Sequence, residues 1–137
     1  MYTIESTDYG FKLAVRGKVD RDIAEQIRFE LLRALAMHNR PFCLFVDLRE
    51  MIPIGPETIG TVVEIHDSCH ELSLIRAALV VSSPVVRGQM EQISFDGDSI
   101  HRDRFFDALN DPDWESKAIN WVTGVAPTLT GPIPRVR

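Results

Sequence analysis

Residues 41–71 read PFCLFVDLREMIPIGPETIGTVVEIHDSCHE, and this stretch decides how the rest of the chain is arranged. Phe42 to Leu48 is an almost unbroken apolar run with one acid, Asp47, near its end, the pattern of a central strand buried on both faces. Gly55-Pro56-Glu57-Thr58 then heads an apolar-periodic segment. Proline suits the first helical position because its missing N–H would find no partner there, so Gly55 reads as the cap and the helix runs to about Leu72. Ile59, Val62, Ile65, Cys69 and Leu72 form its expected buried face. An acid at the carboxyl end of such a strand, facing the next helix start, lies where open α/β sheets place their binding surface.

Upstream, Tyr2 to Ser6 and Phe11 to Gly17 alternate apolar and polar residues around Asp8-Tyr9-Gly10, which predicts an antiparallel hairpin. Asp20 or Asp22 can cap a following helix, with Ile23, Ile27, Leu31, Ala34 and Leu35 on its apolar stripe and His38 to Pro41 as its stop. Strand, helix, strand at these lengths implies a right-handed parallel crossover. Downstream, Leu74 to Val81 predicts a second buried strand, and a third helix from Pro84 or Val85 carries Val86, Met90 and Ile93 inward. Asp96, Gly97 and Asp98 mark a turn, His101 to Asp107 reads as a last short strand or a helix extension, and Asp111-Pro112 opens a helix holding Trp114, Ala118, Ile119 and Trp121. The expected fold is α/β: one domain over residues 1–124, with a mixed, mainly parallel sheet, an N-terminal antiparallel hairpin and helices packed on the sheet. Residues 125–137 are Pro-rich and aperiodic, a mobile tail or a strand-like arm laid on a partner such as a second copy of the chain.

A chain of 137 residues suits a single core. Its net charge of -5, with basic residues interleaved among acids, offers nothing to a phosphate backbone, so no nucleic-acid partner is expected. The N-terminus lacks a signal-peptide pattern and no apolar run approaches a transmembrane span, which makes the cytoplasm the expected location. Cys43 and Cys69 each fall inside a core element and read as buried thiols rather than a bridge.

No catalytic constellation emerges. Ser82 and Ser83 precede Pro84 without a nucleophile-elbow pattern, and an N-cap is the simpler role. Glu57 in a first helical turn complements the helix dipole, and Thr58 belongs to the same capping region. His66, Cys69 and His70 share neighbouring positions on one helix, and two imidazoles with a thiolate could reach one zinc ion. The group lacks the acid of an HExxH pattern and Cys69 lies on the buried stripe, so no metal and no cofactor is expected. The acids and His101 of DGDSIHRDRFFD (residues 96–107) alternate with bases, as on a solvated face.

The order of elements resembles the STAS domain of anti-sigma-factor antagonists. CLFVDLREM resembles that family's central strand with its Asp-Leu step, GPETIG stands at the loop and helix start that follow, and RAALVV resembles the next strand. RFFD followed by SKAINWV is closer to the SpoIIAA-like branch. The resemblance covers roughly Met1 to Val122. It implies a regulatory module of bacterial-type signalling with a protein partner, acting through Asp47, Gly55, Pro56, Glu57, Thr58, Ser82 and Ser83. The family's Asp-Ser-Ser/Thr-Gly signature falls on Gly55, Pro56, Glu57 and Thr58, which puts an acid where the family is phosphorylated. Thr58 or Thr61 would take the phosphate only by a one-turn shift. The SpoIIAA-like branch is also similar in fold to CRAL-TRIO lipid carriers, which implies a pocket for a small apolar ligand. The expected function is therefore a non-catalytic regulatory or binding module, possible lipid binding included; the alternative is a small metal-dependent or acid-base enzyme using His66 and His70.

Overall fold

The computed structural model describes residues 1–96 and 102–124. In chain order its elements are β1 (Tyr2–Thr7), β2 (Gly10–Gly17), α1 (Arg21–His38), β3 (Phe42–Met51), α2 (Pro56–Glu71), β4 (Leu74–Val81), α3 (Pro84–Asp96), β5 (Asp103–Asp107) and α4 (Trp114–Thr123). The strands lie side by side in sequence order, with β1 antiparallel to β2 and every later pair parallel. Because the three crossovers β2-α1-β3, β3-α2-β4 and β4-α3-β5 all step the same way, a common right hand puts α1, α2 and α3 on one face of the sheet. The chain then crosses to the other face, where α4 packs on β3, β4 and β5.

Period-2 alternation in β3 divides the core between these faces. Phe42, Leu44, Val46 and Leu48 belong to the large cluster beneath α1 to α3, whereas Cys43 and Phe45 join Ala78, Val80, Phe106, Ala118 and Val122 beneath α4. Asp20 caps α1 by accepting from the Ile23 amide at 2.9 Å, and Asn39 ends it in the left-handed conformation. Leu31 is fully buried in this helix, a burial worth roughly 1.5–3 kcal/mol. On the far side, Trp121 Nε1 donates to the Ala77 carbonyl at 3.0 Å, and the guanidinium groups of Arg76 and Arg104 lie 4.8 and 4.1 Å from the Trp121 ring centroid.

Several expectations need correction. In α2 the buried residues are Thr58, Thr61 and Cys69, with Val62 and Ile65 partly buried, while Ile59 and Leu72 are exposed. Residues 58, 61, 62, 65 and 69 line up on the face turned to the core, and Ile59 falls about 100° from that line. In α4, Val122 is buried and Ile119 is exposed. The central strand runs three residues beyond Leu48, and the last strand begins at Asp103. Gly97, Asp98 and His101, and the segment from Val125 onward, lie outside the described residues.

Candidate functional site

Between the sheet and the α1 to α3 layer lies a cavity of about 120 Å³ with walls almost wholly apolar, including Leu13, Leu44, Val46, Ile65, Ala77 and Met90. The exceptions are gathered together: His66, His70, Ser94 and Asp103 line the same cavity. Helix α2 runs back along the sheet, so its last two turns bring His66 and His70 to the amino edge of the parallel strands. Strand pairing sets Asp103 opposite Ala77 at that edge.

Asp103 is the hub of the group, with a side chain only 2% exposed. Its Oδ2 accepts from His66 Nε2 at 2.9 Å and from Ser94 Oγ at 2.6 Å. His66 Nδ1 faces Asp67 Oδ1 at 3.2 Å. Since a carboxylate only accepts, its partners assign both ring nitrogens of His66 as donors, the arrangement of an imidazolium. His70 Nε2 stands 3.3 Å from Asp103 Oδ1, near enough for attraction but without hydrogen-bond geometry. Its Nδ1 accepts from Arg102 Nη1 at 3.3 Å.

The electrostatics follow from this packing. Burial opposes charge on His66, but hydrogen bonds to Asp103 and Asp67 and the charges of the same two acids outweigh it, and its pKa is raised. Burial likewise acts to raise Asp103, yet hydrogen bonds from His66 and Ser94, the adjacent His70 ring and the His66 charge hold it well below the usual carboxylate range. The Cys69 thiol is pushed up to about 12, first by burial and then by the charge of Asp103. A thiol so held is a poor thiolate ligand.

The carboxyl edge carries the residues expected to form the binding surface, but it does not bring them all together. Asp47 has the same parity as Cys43 and Phe45, so it lies on the α4 face rather than facing the head of α2. Its carboxylate accepts from Arg49 Nε and Nη2 at 3.0 and 2.9 Å, and the Arg49 guanidinium lies 4.5 Å from the Trp114 ring centroid. Burial works to raise the Asp47 pKa, but the Arg49 bonds prevail and lower it. On the other face, Gly55 caps α2, Pro56 and Glu57 are exposed, and Thr58 is completely buried. Thr61 is buried as well. Ser83 Oγ accepts from the Val86 amide at 3.3 Å as the cap of α3, and Ser82 is half-buried beside it.

Gln89 of α3 ties this edge together. Its amide donates to the Ile54 carbonyl at 2.8 Å and accepts from the Ile54 N–H at 3.0 Å, which clamps the loop before α2 onto α3. Exposed Ile52 lies two residues before that clamp, and exposed Val85 one turn before Gln89. The sequence carries no sign of Gln89, and it sets Asp103 among acids that read as a solvated face. For Asp103, the available signal was the His66/His70 pair at one-turn spacing, which needs an acid from another element.

No protein-family model matches the chain, and no curated protein matches it. Among solved structures, the chain is similar to an anti-sigma factor antagonist from Mycobacterium paratuberculosis at TM-score 0.61 and 15% identity, over 90% of this chain and 93% of that one. It is also similar to an uncharacterized protein with a SpoIIAA-like fold from Shewanella loihica, at TM-score 0.63 and 18% identity, over 89% and 92% of the two chains. With its hairpin, sequential parallel strands and helices in the same order, this chain has the SpoIIAA-like fold of STAS domains.

Proposed function

We propose that this chain is a non-catalytic, STAS-like regulatory module that binds a protein partner through the carboxyl edge formed by the head of α2 and the start of α3. The observation that carries the reading is the two-bond clamp of Gln89 on Ile54, which presents Ile52, Pro56, Glu57 and Val85 from a held loop. Exposed apolar residues around a single acid suit a partner with an apolar patch and a basic rim. The likeness to an anti-sigma factor antagonist supports the same class of role. Glu57 acts as a fixed negative charge rather than a switched one, in keeping with the burial of the Thr58 and Thr61 hydroxyls out of reach of a kinase. Affinity capture from the native extract tests this reading when run with wild type and with a Glu57→Lys, Val85→Asp variant side by side. One partner held by the wild type and lost by the variant is expected; a partner held equally by both contradicts it.

The apolar cavity favours a second role, carriage of a small apolar ligand. A dry cavity of about 150 Å³ accommodates benzene, so the space suits a molecule of that size or the end of a longer one. Native mass spectrometry of the purified protein should show an adduct that is released on unfolding. Protein of bare mass that also fails to take up benzene would contradict this role.

A further inference from the structure

His66, His70 and Asp103 place one donor atom each within 4.8 Å of the others, at the polar end of the apolar cavity and away from the proposed partner surface. We propose that this trio is a binding site for one divalent transition ion of the zinc class, held by Nε2 of both histidines and a carboxylate oxygen of Asp103.

Four features support the assignment. The donor set is two imidazoles and one carboxylate, which suits zinc and its first-row neighbours and not calcium or magnesium, which prefer all-oxygen shells. The spacing is within small side-chain rotations of a coordination sphere: bonds of about 2.0–2.2 Å put tetrahedral donors roughly 3.3–3.6 Å apart, and His66 Nε2 stands 2.9 Å from Asp103 Oδ2 and His70 Nε2 3.3 Å from Asp103 Oδ1, with one donor of each residue within 4.8 Å of the others. The two histidines lie one helical turn apart, with ring centroids 4.5 Å from each other, so small rotations converge both Nε2 atoms on one point. Outer partners are also present, since Asp67 accepts from His66 Nδ1 and Ser94 donates to Asp103, the carboxylate–histidine and oriented-carboxylate arrangements that fix metal ligands.

Binding replaces the proton on each Nε2 by the ion. His70 Nδ1 must then carry hydrogen, and the Arg102 guanidinium turns from it to the His70 and Leu74 carbonyls, already 3.5 and 3.4 Å from Nη1. Three protein donors leave a coordination position for water or for a donor atom of a cavity ligand. Cys69, which sequence spacing grouped with the two histidines, is not part of the trio. Aspartate from a neighbouring strand takes its place.

The test uses protein prepared without a polyhistidine tag, stripped with chelator and titrated with Zn2+ and with Co2+. One ion per chain is expected, with Co2+ d–d absorption in the visible. His66→Gln and His70→Gln should each weaken Zn2+ binding by more than about a hundredfold, and Ser94→Ala by about tenfold. Binding that both histidine variants retain would overturn the site, as would the absence of stoichiometric uptake by wild type. If a histidine variant does not fold, chemical modification of wild-type imidazoles still decides: Zn2+ should protect His66 and His70, and unprotected histidines with bound metal would overturn it. Loss of this site leaves the proposed partner surface untested and standing, because Gln89, Glu57 and Val85 take no part in it.

Discussion

His66 Nε2 and Asp103 Oδ2 meet at 2.9 Å across 37 residues of sequence, joining the end of α2 to the start of β5. The contact is a charged pair at the margin of an apolar cavity, so its contribution changes with pH. His66 is raised above its ordinary value of 6.5, and a raised base stabilises fully below 6.5 and loses that contribution as pH climbs through the folded value. Asp103 is lowered from 3.8, so its contribution is complete above 3.8 and is lost as pH falls through the folded value. Metal-free protein should therefore be stabilised fully by the pair between about pH 4 and 6.5. Thermal melts across pH should show a decline on the alkaline side that flattens in His66→Gln; an identical alkaline slope in the variant would contradict the pairing.

Asp103→Asn removes the acceptor charge and leaves His66 facing an amide. Breaking a buried pair costs about 3–5 kcal/mol, and the remaining Asp67 contact with the 14% exposure of His66 puts the expected loss near the lower end. Chemical denaturation with an unchanged m-value would measure it. A loss within error of zero would mean that the cluster carries no net stabilisation.

Thr58 is the reverse case. Its Oγ1 is buried and has no hydrogen-bond partner among the described residues. Replacing such a group by an apolar one of the same shape removes a desolvation cost, so Thr58→Val should stabilise by about 1 kcal/mol. Destabilisation by a similar amount would contradict the assignment of that hydroxyl as unpartnered.

Gly10 starts β2 at a φ of +147°, and a Cβ there would lie 2.1 Å from the Cys43 carbonyl oxygen, backbone that cannot give way. Gly10→Ala should cost several kcal/mol, on the order of 3 or more, by combined strain and clash. A melting temperature like that of wild type would show that the hairpin does not press on β3 in this way.

The parts of the fold legible in sequence were those with strong local signals. Leu74–Val81 and the Val86, Met90, Ile93 face of α3 follow directly from apolar runs and helical spacing. Helix α2 was located correctly and turns Val62, Ile65 and Cys69 inward as expected, but Thr58 and Thr61 complete its buried face in place of the more apolar Ile59 and Leu72. Residue type alone does not report helix phase when threonines face inward. The polar cluster was half legible: the histidine pair has a spacing, but Asp103 sits among alternating charges that resemble a solvated face. Only the pairing of β5 with β4 brings it to them. Asp47 was placed on the wrong face for a related reason, since the parity of β3 decides which helix layer it meets.

The central claim is that Glu57 and its neighbours contact a partner as a held surface. As a first-turn acid, Glu57 contributes about 0.3–1 kcal/mol through the helix dipole, so Glu57→Gln should melt close to wild type while binding the captured partner more weakly. Amide hydrogen exchange of the protein alone and in complex tests the claim most directly. The account predicts slowed exchange across residues 52–58 and 82–87, with no change near His66, His70 and Asp103. Protection confined to the amino edge or to the α4 face, with the head of α2 exchanging as in the free protein, would contradict it.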